Sequence, residues 1–172
     1  MIDESWKAVA KQIDECKYLY MRALHEPRDN EIRFIVEEAG LQAPLIRTGE
    51  EDPSSIAALF SDAQPIRSDS SSRLFEIAYY DYTSYTVSNE TYSKYPEPPE
   101  LFTGNLFRVF RWSYLLEMTR KTTYANDEHP GPGPLEHHAI VCLNHVIDVI
   151  TTRPPTMTLL DRLEIKTDSL VN

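Results

Sequence analysis

The side chains best equipped for chemistry crowd into residues 130–155, "PGPGPLEHHAIVCLNHVIDVITTRPP", which carries His137, His138, His145, Cys142 and Asp148. Two chemistries are open to such a set. A zinc centre needs three or four ligands converging at about 2.0–2.3 Å. An acid–base site needs Asp148 as general base with His138 or His145 close by, and Asn89 or Glu90 as helpers.

Which of these survives depends on the backbone beneath. Ile140, Val141, Val146, Ile147, Val149 and Ile150 are β-branched, which favours strand over helix. A hairpin turning at Asn144–His145, with Asn accepting a left-handed conformation, pairs Leu143 with Val146, Cys142 with Ile147 and Ile140 with Val149. One face then carries Ile140, Cys142, Ile147 and Val149. The other carries Ala139, Val141, Leu143, Val146 and Ile150, with Asp148 among them. His137 and His138 point to opposite faces and His145 sits at the turn, so no metal site is expected. Asp148, between Ile147 and Val149, must be paired or hydrogen-bonded if buried. Arg108, Arg111 or backbone N–H groups are the structural partners; a nearby histidine is the catalytic alternative.

Elsewhere the chemistry thins out. Five glycines give no phosphate-cradling loop, and neither GxSxG, HExxH nor an EF-hand pattern occurs, so no cofactor is expected. The ten tyrosines either fill the faces of an aromatic-rich sheet or, through Tyr80, Tyr82, Tyr85 and Trp112 with Arg108, form a ligand-stacking surface.

The elements that would hold these residues read as follows. Residues 3–26 are predicted as a helix, with Trp6, Val9, Ala10, Ile13, Cys16, Tyr20 and Leu24 on one face, Asp3 or Ser5 as cap and Pro27 as the stop. Residues 30–40 fit a helix through Ile32, Ile35, Val36 and Ala39, stopped at Gly40, or a strand through Ile32, Phe34 and Val36, which the β-branched residues favour. Residues 42–66 read as loop with a short helix at 56–60. Residues 74–92 alternate as one long strand, bent near 81–84 and turning near Asn89–Glu90. Residues 94–100 form a stiff proline loop. Gly104–Asn105 turns the chain into the strand "LFRVFRW". Ser113 caps a short helix with Leu115, Met118 and Thr122 inward. Residues 129–134, "HPGPGP", stay out of any sheet interior.

With 172 residues, 41% apolar and 26% charged, the chain suits one domain over residues 1–172. A formal charge of −10 disfavours nucleic acid, since only Arg108, Arg111, Arg120 and Lys121 offer a basic patch. No run approaches the ~18 apolar residues of a membrane span. The N-terminus lacks the basic and apolar regions of a signal peptide. Cys16 and Cys142 read as buried free thiols of a reducing cytoplasm.

"YTSYTVSNETY", "GNLFRVFRWSYLLEM" and "HHAIVCLNHVIDVI" together resemble a diffuse group of small uncharacterised bacterial proteins over residues 74–155. The matching positions are Tyr82, Tyr85, Val87, Asn89, Glu90, Tyr92, Gly104, Arg108, Ser113, His138, Asn144 and Asp148. The resemblance implies no activity.

The expected fold is α+β: a mostly antiparallel sheet from the second half of the chain, packed by the N-terminal amphipathic helix and the short second helix. The expected function is a non-enzymatic module binding another protein, a basic one, in the manner of an immunity protein or antitoxin. The alternative is a small hydrolase or acid–base enzyme built on Asp148 and a histidine. Exposed apolar edges would also support a homodimer.

Overall fold

A computed structural model describes residues 4–42, 64–94, 101–125 and 133–162. Helix α1 spans Ser5–Asp14, and strand β1 (Tyr18–Arg28) follows at once. The predicted helix to Glu26 is therefore cut in half. Cys16, Tyr20 and Leu24 are spaced by four, and four is an even number, so the same spacing that suits a helix face also suits a strand. A register irregularity between Met21 and Ala23 resets the alternation. Leu19 is fully buried, and Met21 and Leu24 pack against the core. Pro27 ends no helix. It lies at a second irregularity, between His25 and Arg28, on a strand at the sheet edge, where a missing N–H is tolerated. The N-cap of α1 is Glu4, whose side chain makes no capping bond, and Asp3 lies outside the described residues.

A two-residue turn with Asn30 at φ 59° leads into β2 (Glu31–Leu41), as the strand reading expects. The short β3 (Ile66–Arg67) pairs with the end of β2, and β4 (Leu74–Tyr80) pairs with β2 along its length. The long strand predicted over 74–92 breaks at Asp81, φ 56°, and resumes as β5 (Ser84–Asn89) in a different sheet. The expected bend is thus a crossing between sheets. After a single 3-10 turn (Glu90–Tyr92) come β6 (Phe102–Thr103), the Gly104 turn, β7 (Phe107–Phe110), helix α2 (Tyr114–Thr122), β8 (Glu136–Val141), β9 (His145–Thr151) and β10 (Thr156–Leu160). The short helix expected at 56–60, and most of the proline loops at 94–100 and 129–134, lie outside the described residues.

The fold is α+β, with every strand pair antiparallel. It has two sheets rather than one. The first runs β1-β2-β4-β10 and the second β5-β9-β8-β7-β6. The first half of the chain supplies β1 and β2, which the expectation of a sheet from the second half did not include. Ile32, Phe34, Val36, Phe75, Ile77 and Tyr79 from one sheet meet Phe107, Ile140, Ile147 and Val149 from the other in a single core, with Ala10 and Ile13 of α1. Helix α1 packs on β10 and β7, and α2 on β8. Among the described residues, no helix is long and apolar enough to cross a membrane.

Two carboxamide and carboxylate contacts lock the layers together. Asp14, at the end of α1, accepts from the backbone N–H groups of Asn105, Leu106 and Phe107 at 3.0, 2.8 and 2.8 Å through one oxygen. Gly104 takes φ +86° there, and a Cβ would stand 1.9 Å from the Phe107 carbonyl oxygen. Only glycine fits that turn. Asn144 holds the β8–β9 turn to β1: its Oδ1 accepts from the Met21 N–H and its Nδ2 donates to the Met21 carbonyl, both at 3.0 Å. Its side chain, not a left-handed backbone, is what the turn uses.

Candidate functional site

Strand β8 sits between β7 and β9, which is why the segment is so rich in β-branched residues. The observed register pairs Val141 with Val146, Ile140 with Ile147, Ala139 with Asp148 and His138 with Val149. The turn is thus two residues longer than predicted, and the pairs at Leu143–Val146 and Cys142–Ile147 do not form. The shift is even, so the faces are preserved. Ile140, Ile147 and Val149 point into the core, while Ala139, Val146 and Asp148 line the opposite, outer face.

On that outer face, His137 and Asp148 lie diagonally across the β8–β9 pair. His137 Nε2 is 2.9 Å from Asp148 Oδ1, and His137 Nδ1 is 2.8 Å from Ser113 Oγ. Ser113 also accepts from the Leu116 N–H at 3.0 Å, so it caps α2 as predicted. That cap fixes the helix phase. Leu116 and Thr119, three residues apart, are buried, while Met118 is exposed, a correction to the inward set of Leu115, Met118 and Thr122. The Asp148 carboxylate can only accept, so His137 donates to it from Nε2; in that tautomer Nδ1 accepts from the Ser113 hydroxyl, whose oxygen still has a lone pair for the Leu116 N–H. The imidazole stacks on Phe110, centroids 4.2 Å apart and planes 9° from parallel.

This serine–histidine–aspartate chain runs inside out. Ser113 is 7% exposed, whereas the Asp148 side chain is 20% exposed and opens into a depression of about 460 Å³. Asn89, Tyr92, Lys94 and Arg108 form its polar wall, over a floor that includes Ala139, Val141 and Phe110. Nucleophilic catalysis needs the serine outermost and the acid behind. Here the serine is the buried anchor and the acid is the working end. Thr86 Oγ1 stands 3.4 Å from the second Asp148 oxygen.

The other predicted residues scatter. His138 points the opposite way and is not a partner of Asp148: it is fully buried between Tyr79, at 3.0 Å from Nδ1, and Glu136, at 3.2 Å from Nε2. Trp6 and Phe107 pack around its ring. His145 begins β9 opposite Asn89, and its Nδ1 is buried without a hydrogen bond. Glu90 lies in the 3-10 turn that Asn89 caps through the Thr91 N–H; Asn89, not Glu90, lines the depression. The hydrogen-bond partners seen for Asp148 among the described residues are His137 and Thr86. Arg108 instead lies over the Phe102 ring at 4.6 Å and donates to the Asn105 carbonyl at 2.9 Å.

The aromatic candidates do not form one surface. Tyr82 packs edge-on against Tyr85 at 5.3 Å and donates to Glu26 at 2.9 Å; desolvation and that bond push its hydroxyl up to about 12. Trp112 packs against the exposed Tyr114 at 4.8 Å, and Tyr80 lies elsewhere, accepting from Arg33 at 3.3 Å. Sequence reasoning missed His137, Ser113 in its second role, Lys94 and Glu136. Among the described residues, no three His, Cys, Asp or Glu side chains are placed to share a metal ion. Cys16 and Cys142 are both free and buried.

No protein-family model matches the chain, and neither the curated proteins nor the solved structures contain one similar to it.

Proposed function

We propose that the chain is a non-enzymatic protein-binding module of the bacterial cytoplasm, immunity- or antitoxin-like, and that its Asp148 depression receives an extended segment of the partner. The observation that carries this reading is the direction of the Ser113–His137–Asp148 chain. It spends two buried side chains on holding one outward carboxylate still, which is the preorganisation that recognition rewards. Donors of the partner meet Asp148; its acceptors meet Arg108 and Lys94 at the wall. The overall charge of −10 favours a partner that is basic outside this contact. The two buried free thiols and the resemblance over residues 74–155 support the cytoplasmic, bacterial setting.

The test uses the full chain as bait, with wild type and Asp148→Asn side by side. The captured protein is purified and titrated against both. Losing a charge-assisted contact should weaken binding about tenfold or more while the unfolding midpoint holds. Equal affinities would refute the reading, as would the absence of any partner from a chain that turns over substrates.

One observation favours a second reading. Asp148 meets a histidine inside a concave site with two cations beside it. That is the geometry of an acid–base enzyme in which Asp148 abstracts a proton and Arg108 and Lys94 steady the resulting anion. The histidine is His137, not His138 or His145. Under this reading Asp148→Asn abolishes turnover by the purified chain.

A further inference from the structure

Adjacent residues of a strand face opposite ways, so His138 carries a second chain through the core side of β8. The Tyr79 hydroxyl donates to His138 Nδ1 at 3.0 Å, and His138 Nε2 donates to Glu136 at 3.2 Å. Tyr79 and His138 are fully buried, while the Glu136 side chain is 44% exposed. Its carboxylate opens into a separate depression of about 620 Å³, bounded by Trp6, Tyr80, Pro134 and Pro154, with Lys7 and Arg153 at its edge. The volume lies in the range of small-molecule sites, roughly 300–1,000 Å³.

The charges of this second depression are unequally matched. Lys7 is paired with Glu4 at 2.6 Å, and Arg153 with Asp81 at 3.5 Å. Among the described residues, the hydrogen-bond donor to Glu136 is the His138 imidazole. That bond is the chief cause holding the carboxyl below the ordinary carboxylate range; burial opposes it, and the electrostatic pull of His138 and then of Lys7 assists. A fixed anion stands beside two aromatic side chains and two prolines, with each neighbouring cation already engaged. Such a place attracts an added positive charge through both the carboxylate and the ring faces.

We propose that the Glu136 depression, on the opposite side of β8 from Asp148, is a second binding site that takes a small free organic ammonium ion with an apolar body. The ammonium donates to Glu136 and the body lies against Trp6 and Tyr80. His138 and Tyr79 are positioning residues that hold the carboxylate toward the ligand. This assignment is independent of the protein-binding reading.

The chain has two tryptophans, so in the full-length Trp112→Phe background the emission reports Trp6 alone. Benzylammonium is titrated against benzyl alcohol, its neutral counterpart of similar shape. Benzylammonium should change the emission saturably, at concentrations about tenfold or more below those needed for benzyl alcohol. Glu136→Gln should remove that preference and leave benzyl alcohol unaffected. Lys7→Met, an exposed change, should tighten benzylammonium several-fold by removing a competing charge. An unchanged emission, equal potency of the two compounds, or an affinity unaltered by Glu136→Gln would overturn the assignment.

Discussion

Ser113→Ala separates the anchoring role of this serine from a nucleophilic one. The hydroxyl does two jobs, accepting from the Leu116 N–H and donating to His137 Nδ1. Losing an N-cap of this kind costs about 1 kcal/mol. Leaving the acceptor nitrogen of a buried imidazole without a partner costs about 1–3 kcal/mol more. The site is buried and alanine brings no polar atom to replace the hydroxyl, so the whole loss is about 2–4 kcal/mol. In a chain of this length each kcal/mol moves the thermal midpoint by about 2–4 °C, which gives a fall of about 5–15 °C. Urea unfolding read by circular dichroism and by tryptophan emission measures it. A double-mutant cycle with His137→Phe isolates the serine–histidine part, expected at about 1 kcal/mol or more. A loss below about 0.5 kcal/mol, or a coupling near zero, would refute the role assigned to the chain. A serine-directed fluorophosphonate that labels Ser113 in the native protein would refute its orientation.

Two further results follow from the same geometry. Cys16 and Cys142 should resist a thiol-specific reagent in the native state and both react on unfolding. Burial, aided by Glu38, pushes the Cys16 thiol up to about 11, and burial alone pushes Cys142 up to about 12; rapid native labelling of either would contradict this. On the acid side, Glu136 is held low first by its bond from His138, and Glu38 first by its bond from Arg73. A carboxyl lower in the folded than in the unfolded chain stabilises the fold above its unfolded value and loses that contribution as pH falls through the folded one. Stability should therefore decline below about pH 4.5, less steeply in Glu136→Gln than in wild type; identical acid limbs in urea midpoints against pH would count against the His138–Glu136 bond.

The period-two alternation of residues 74–80 and 137–150 was legible because each strand buries one face completely: Phe75, Ile77 and Tyr79 in β4, Ile140, Ile147 and Val149 in the hairpin. The hairpin register was wrong by an even step, and an even step leaves every side chain on its face. So the division between core and outer surface was readable while the partner of each residue was not. The end of α1 was not readable. What stops it is the capture of Asp14 by three N–H groups of a turn some 90 residues away, a tertiary contact with no local signature. Strand β1 of the first sheet was hidden for the same reason. Residues 18–28 carry spacings common to helix and strand, and only pairing with β2 decides between them.

The histidines show where chemistry can be read from a sequence and where it cannot. Neighbours on a strand point to opposite faces, and His137 and His138 do so, one bonded to Asp148 and the other to Glu136. It does not follow that they are inert. In "EHHAIVCLNHVIDV" Glu136 and His138 stand two positions apart on one strand, so a shared face could be inferred without any register. The His137–Asp148 pair needed the register, since the two stand eleven positions apart with a turn between them. Each imidazole then meets a hydroxyl at its inner nitrogen, from Ser113 or Tyr79, and donates from its outer nitrogen to a carboxylate at a surface depression. Burying a histidine without both partners costs several kcal/mol, so the hydroxyl and the carboxylate are required together. The adjacent histidines thus produce two separate carboxylate sites on opposite sides of one strand, in place of the single metal or catalytic centre that their adjacency suggests.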